Sequence, residues 1–196
     1  MLAIGFDPGT RNLGWGLVRR EGTRVWHQGH GVLRLDAGQS LAERLVHIER
    51  GVAQLIEEHR PDVGSVESLF FNKDPQAAAK LGHARGVILL CLARAGLPVF
   101  EYPPARVKRT MTGNGQAEKR QVALMVKGML ALGELPAADA ADALAIALTH
   151  LRLGPLTGSA GSNSELLAVL TAARSRGRQR RVALNKQLVE RARGAR

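Results

Sequence analysis

Four carboxylates stand where an acid has chemical work available to it. Asp7 closes the apolar run Leu2-Ala3-Ile4-Gly5-Phe6 and is followed at once by the turn signal Pro8-Gly9. Glu67 closes a second such run, Val63-Gly64-Ser65-Val66. In α/β folds, ligands bind beyond the carboxyl ends of strands, and both acids are placed there. Asp139 and Asp142 follow at i and i+3 near the start of a last helix, so both project from one face. Their neighbours Ala138, Ala140, Ala141, Ala143 and Ala145 are small and permit close approach of that helix to another element. A plainer reading keeps each acid at a solvated sheet edge, or has the pair favouring the helix dipole by a few tenths to about 1 kcal/mol. Brought together, four carboxylates would repel one another unless a cation intervened. Hard oxygen ligands suit Mg²⁺ or Mn²⁺, and two such ions about 4 Å apart can clamp a phosphodiester, one activating water and one stabilising the leaving oxygen.

The charge balance fits a polyanionic substrate. The chain of 196 residues carries 28 Lys+Arg against 17 Asp+Glu, a net charge of +11. That excess points to nucleic acid before membrane. Nine of the basic residues, against Glu165 and Glu190 alone, lie beyond Gly154-Pro155. The spacing divides the chain into a folded domain, 1–154, and a basic, flexible tail, 155–196, opened by the linker-like run Thr157 to Ser164. As a hypothesis, the tail adds salt-sensitive, sequence-independent DNA affinity. One cysteine, Cys91, excludes a disulfide framework and a cysteine zinc cage, and reads as an inert buried thiol. The opening residues do not resemble a signal peptide, and no apolar run would span a bilayer, so a reducing, cytoplasmic setting is expected.

The elements needed to position these acids are legible in outline. Strands are expected at Leu2–Asp7, Trp15–Arg19, Arg24–Leu35, Val63–Ser68 and Pro98–Tyr102. Leu41, Leu45, Ile48, Val52 and Ile56 mark one face of a helix that stops before Pro61. Asp74-Pro75 starts another, with Asp74 as N-cap, running to about Arg94 and ending at Gly96. Two more are expected over about Ala117–Leu132 and Ala138–Leu151. The order predicts a mixed α/β sheet with helices on both faces.

Several blocks together resemble one family. Gly5-Phe6-Asp7-Pro8-Gly9-Thr10, the run Val66-Glu67-Ser68-Leu69-Phe70-Phe71-Asn72-Lys73, and Lys80-Leu81-Gly82-His83-Ala84-Arg85-Gly86 are similar, in order and spacing, to the RuvC family of Holliday-junction resolvases. So are Val99 to Tyr102, Val107-Lys108, Gly113-Asn114-Gly115, Ala117-Glu118-Lys119 and Ala138 to Ala145. The resemblance covers about residues 1–152. It implies a ribonuclease-H-like, mixed five-stranded sheet and a homodimer that nicks four-way DNA junctions symmetrically, in recombination and repair. It also implies two Mg²⁺ per subunit, with Mn²⁺ as a possible substitute, and partnership with the RuvA–RuvB branch-migration complex. The implied metal ligands are Asp7, Glu67, Asp139 and Asp142; Lys108 and Lys119 meet DNA, with Lys119 also catalytic, and Phe70 wedges the junction. Lys73, Lys80 and Arg85 fall in the same blocks and are further candidates for DNA contact. Asp74 stands where the family more often has Asn, Ala77 where Ser is common, and the tail has no obvious counterpart.

Other residues carry weaker signals. A loop aromatic such as Phe70 can stack on an unpaired base for roughly 1–3 kcal/mol, although the default for Phe is core. Ala78, Gly82 and Gly86 recur every four residues on a helix and suggest a dimer contact, or ordinary close packing against the sheet. The Gly113-Asn114-Gly115 loop lacks the spacing of a nucleotide-binding phosphate loop. His150 is expected to favour the dipole at the end of the last helix, and His83 to be structural. Rival functions are another ribonuclease-H-like nuclease acting on RNA or an RNA–DNA hybrid, a junction-binding scaffold without catalysis, and an actin-like ATP-binding protein. The last would need a second phosphate loop that this chain lacks.

Overall fold

A computed structural model describes residues 1–68 and 75–154, the first three of the second stretch as backbone only. The expected linker and tail, Phe70, Lys73 and the Asp74 cap lie outside the described residues. The first half gives β1 (Leu2–Asp7), β2 (Asn12–Glu21), β3 (Arg24–Arg34), α1 (Leu41–His59) and β4 (Val63–Glu67). There follow α2 (Pro75–Arg94), β5 (Val99–Tyr102), α3 (Pro104–Thr112), α4 (Lys119–Met129) and α5 (Ala138–Leu153). The five strands form one sheet in the order β3-β2-β1-β4-β5. The first three are antiparallel neighbours, joined between β2 and β3 by a turn in which Gly22 takes φ +58°; β4 and β5 run parallel to β1.

Alternation along β1 sorts the two cores. Leu2, Ile4 and Phe6 pack with Ile48, Val52 and Leu55 of α1 and Ile88 and Leu92 of α2. Ala3 and its neighbours Val18 and Val63 face the opposite core, filled by α3, α4 and α5. A central strand buried on both faces reads as a continuous apolar run, which β1 does. The helix α1 begins with a capping box, in which the Ser40 hydroxyl accepts from the Glu43 N–H and the Glu43 carboxylate accepts from the Ser40 N–H. It ends at Arg60, in the left-handed region at φ 46°, immediately before Pro61.

The helix α5 lies directly on the sheet. A Cβ at Gly5 would fall 2.2 Å from the Ala143 carbonyl oxygen, and one at Gly14 would fall 2.0 Å from the Asp139 carbonyl oxygen. Only glycine admits a helix backbone at that distance. Every residue from Ala143 to Leu151 is buried, so this helix needs apolar residues all round, and its run of alanines supplies them at small volume.

Three expectations are corrected. The helix α3 was not anticipated, and β2 starts at Asn12 rather than Trp15. His150 does not act as a charged dipole partner. It is 1% exposed, donates or accepts at Nδ1 with the Tyr102 hydroxyl at 2.9 Å, and packs on Phe100. Burial, helped by the nearby Arg20 charge, lowers its pKa to about 4, so the ring is neutral. The carbonyl end of α5 is served instead by Arg20, whose guanidinium donates to the Leu151 carbonyl. His83 is exposed on α2, and Cys91 is buried with its thiol pushed up by burial, as a structural thiol should be.

Candidate functional site

The acids end adjacent elements. Phe6 of β1 pairs with Val66 of β4 in parallel register, so Asp7 and Glu67, next along each strand, stand side by side at the carboxyl edge of the sheet. Across the other side of β1, Asp7 is registered with Gly14 of β2, over which the Asp139 backbone sits. Asp142 follows three residues further along the same helix. The sheet register and the glycine approach therefore gather all four carboxylates at one edge.

Their electrostatics carry that proximity. The Asp7 carboxyl is pushed up to about 7, first by burial and then by the charges of Glu67 and Asp142, with a smaller push from Asp139. Glu67 is raised by burial and by Asp142, against the opposing charges of Lys119 and Lys108. Lys119, the first residue of α4, donates from Nζ to Asp142 Oδ2 at 2.7 Å, and that bond holds its ammonium above the usual lysine value. An open cleft of about 270 Å³ is lined by Glu67, Lys108, Lys119, Val122, Asp142 and Ile146. Among the described residues no three acidic, histidine or cysteine side chains close on a single point as a finished metal cage. Hard oxygen donors repelling one another in a half-buried cleft nonetheless fit a divalent cation, whose charge would offset the burial and repulsion that raise Asp7.

Comparison with known families shows which family the chain belongs to. A family model described as crossover junction endodeoxyribonuclease RuvC matches residues 3–150. The chain belongs to the RuvC family. The RuvC of Sorangium cellulosum is 58% identical over 151 residues, covering 77% of this chain and 84% of that protein. The solved RuvC structure of Thermus thermophilus is 38% identical, with a TM-score of 0.71 over 79% of this chain and 97% of that one. The same protein in complex with a Holliday junction substrate gives 38% identity and a TM-score of 0.73, over 77% of this chain and 93% of that one. The five-stranded mixed sheet with helices is the ribonuclease-H-like fold of the family, and the chain is an endodeoxyribonuclease by membership. A RuvC-family nuclease uses a divalent metal. No helix among the described residues is long and apolar enough to cross a membrane.

The remaining candidates separate. Lys108 lines the cleft with Lys119, whereas Lys80 is exposed on α2 away from any ion pair among the described residues. Arg85 is paired within the chain, its guanidinium bonded to the Glu101 carboxylate of β5. The small residues on α2 span about 80° of the helix, each step of four advancing about 40°. Ala78 is buried within the chain, Gly82 is half-buried, and Gly86 meets open space.

Two supports of the site escaped the sequence reading. Arg44 of α1 donates from Nη1 to the Thr10 carbonyl at 2.7 Å and so clasps the turn that follows Asp7. Gly14 sets the height of Asp139, and a glycine inside a strand pattern is the signal that could have shown it.

Proposed function

We propose that the protein resolves four-way DNA junctions by paired, symmetric nicks, hydrolysing one phosphodiester in each of two opposed strands. The observation that carries this reading is the placing of Asp7 and Glu67 on adjacent strand ends, beneath a helix that brings Asp139 and Asp142 to the same edge. Those four residues would hold two Mg²⁺, with Mn²⁺ a possible substitute. When bound, the metals supply an activated water and charge stabilisation for the departing 3′ oxygen.

The chain's own residues do the rest. The Lys119 ammonium, at the mouth of the cleft, neutralises charge that develops on the phosphoryl oxygens. Lys108, which lines the same cleft, holds the DNA backbone in position. Phe70 follows Glu67 by three residues in the chain and stacks at the junction centre, with Lys73 and Lys80 adding phosphate contacts. A homodimer supplies two equivalent sites to a substrate of approximate two-fold symmetry. The basic residues 174–196 add non-specific affinity, and the RuvA–RuvB complex is the expected partner at the junction.

A labelled, mobile four-way junction incubated with Mg²⁺ tests this, beside a linear duplex, an RNA–DNA hybrid and the Asp7→Asn variant. Expected are ligatable nicks, with 5′-phosphate and 3′-hydroxyl ends, on the junction alone and absent with the variant. Cutting of the hybrid alone would overturn the substrate, and binding without cutting under either metal would reduce the chain to a scaffold.

A further inference from the structure

We propose that Lys119 is the resident counter-ion of the carboxylate edge: its ammonium holds Asp142 until a divalent metal displaces it, and the released ammonium then takes a DNA phosphate. Metal entry and DNA binding thereby favour one another through a single side chain. This rests on the metal reading of Asp7, Glu67, Asp139 and Asp142.

The geometry supplies both halves of the exchange. Asp142 Oδ2 accepts from Lys119 Nζ at 2.7 Å, a bond that joins α4 to α5 across 23 positions of sequence. An oxygen engaged at that distance by an ammonium is not free to enter a metal's ligand set, so the two cations compete for it. The bond is also easily surrendered. The Lys119 side chain is 73% exposed and Asp142 24%, so solvent can follow the ammonium as it leaves. What stays fixed is the helix: Val122 and Val126 of α4 are buried in the core shared with α5. A lysine on a fixed stem at the cleft mouth can turn from a carboxylate inside to a phosphate outside without any backbone movement.

Lys108 provides the contrast. It lines the same cleft and its charge acts on Glu67, yet it forms no ion pair among the described residues. Removing its charge changes the field of the site but frees no carboxylate. By linkage, a phosphate that draws Lys119 off Asp142 raises metal affinity, and a metal that displaces Lys119 raises DNA affinity by the same factor.

Mn²⁺ titration of the full chain by calorimetry, without DNA, reads the competition directly. Lys119→Gln is expected to bind Mn²⁺ about three- to tenfold more tightly than wild type, in line with loss of a partly exposed ion pair, and Lys108→Gln less than about twofold. Equal gains in the two variants, or none in Lys119→Gln, would overturn the exchange. Absence of Mn²⁺ binding by all three proteins would instead overturn the metal reading beneath it. The reciprocal arm measures junction affinity by fluorescence anisotropy in Ca²⁺ and in chelator. The tightening caused by Ca²⁺ should be about three- to tenfold larger for wild type than for Lys119→Gln; equal tightening refutes the coupling.

Discussion

Replacing Asp7 by asparagine probes the electrostatics of the site while leaving its shape almost untouched. In the unfolded chain this carboxyl ionises near the ordinary value of 3.8, whereas in the folded, metal-free protein it does so near 7. Between those values the folded state keeps a proton that the unfolded state has released. Stability is therefore full below the unfolded value, falls as pH rises through the window from about 4 to about 7, and is level above it. The window spans about three pH units, and each unit is worth 1.36 kcal/mol, which sets a ceiling of about 4 kcal/mol. Asparagine resembles the protonated carboxyl and loses none of this. Asp7→Asn should thus be more stable than wild type by about 2–4 kcal/mol near pH 8 in chelator, and nearly equal to it near pH 4. Urea denaturation at the two pH values, with unchanged slope, measures the difference, and the effect of His150 on acid stability cancels between the two proteins. A variant no more stable than wild type near pH 8 would refute the argument that burial and the neighbouring carboxylates keep Asp7 protonated. Added Mg²⁺ should reverse the order, stabilising wild type far more than the variant.

Gly14→Ala would set a methyl group against the Asp139 carbonyl; we expect a loss of about 1–3 kcal/mol or more in thermal unfolding, and Mn²⁺ affinity down by more than about tenfold. Tyr102→Phe removes the hydroxyl that meets His150 Nδ1 and should lower the urea-derived stability by about 1–3 kcal/mol. In wild type the His150 ring should titrate near 4 by NMR, so that stability drains away as pH falls from 6.5 towards 4, the folded ring resisting the proton that the unfolded one accepts. Arg44→Ala frees the Thr10 carbonyl and should weaken Mn²⁺ binding severalfold, with a change in unfolding free energy of only about 0.5–1.5 kcal/mol.

What the sequence displays and what it hides follow from locality. The strands and helices that bury a face announce themselves by period, as β1 and α1 do. The helix α3 did not, because at nine residues it offers only Val107 and Met111 as buried positions, and Pro103-Pro104 reads as a break. Yet Pro104 in the first turn and Gly113 at φ +80° just beyond the last residue are the asymmetry that marks a short helix. The start of β2 was hidden by Gly14, just ahead of the expected strand, whose place is explained only by the helix resting on it. For the site, two acids at strand ends and two at i and i+3 on an alanine-rich helix were enough to single out four candidates. The pairings were not legible, since Lys119 with Asp142 and Arg85 with Glu101 each join separate elements that only the fold makes neighbours. His150 sits at the end of a helix, where exposure is the usual expectation, but α5 is covered there by β5.

The acids of this edge are also separated in time. Asp7 leaves the ribosome with the first strand, and Asp139 and Asp142 with the last helix of the described fold. Until that helix docks, the face of β1 that carries Ala3, Gly5 and Asp7 has no cover, and the sheet cannot settle. The gathering of the four carboxylates and the completion of the core are thus acquired in the same step of synthesis. A nascent or prematurely ended chain that stops before Ala138 carries two of these four carboxylates and an open sheet.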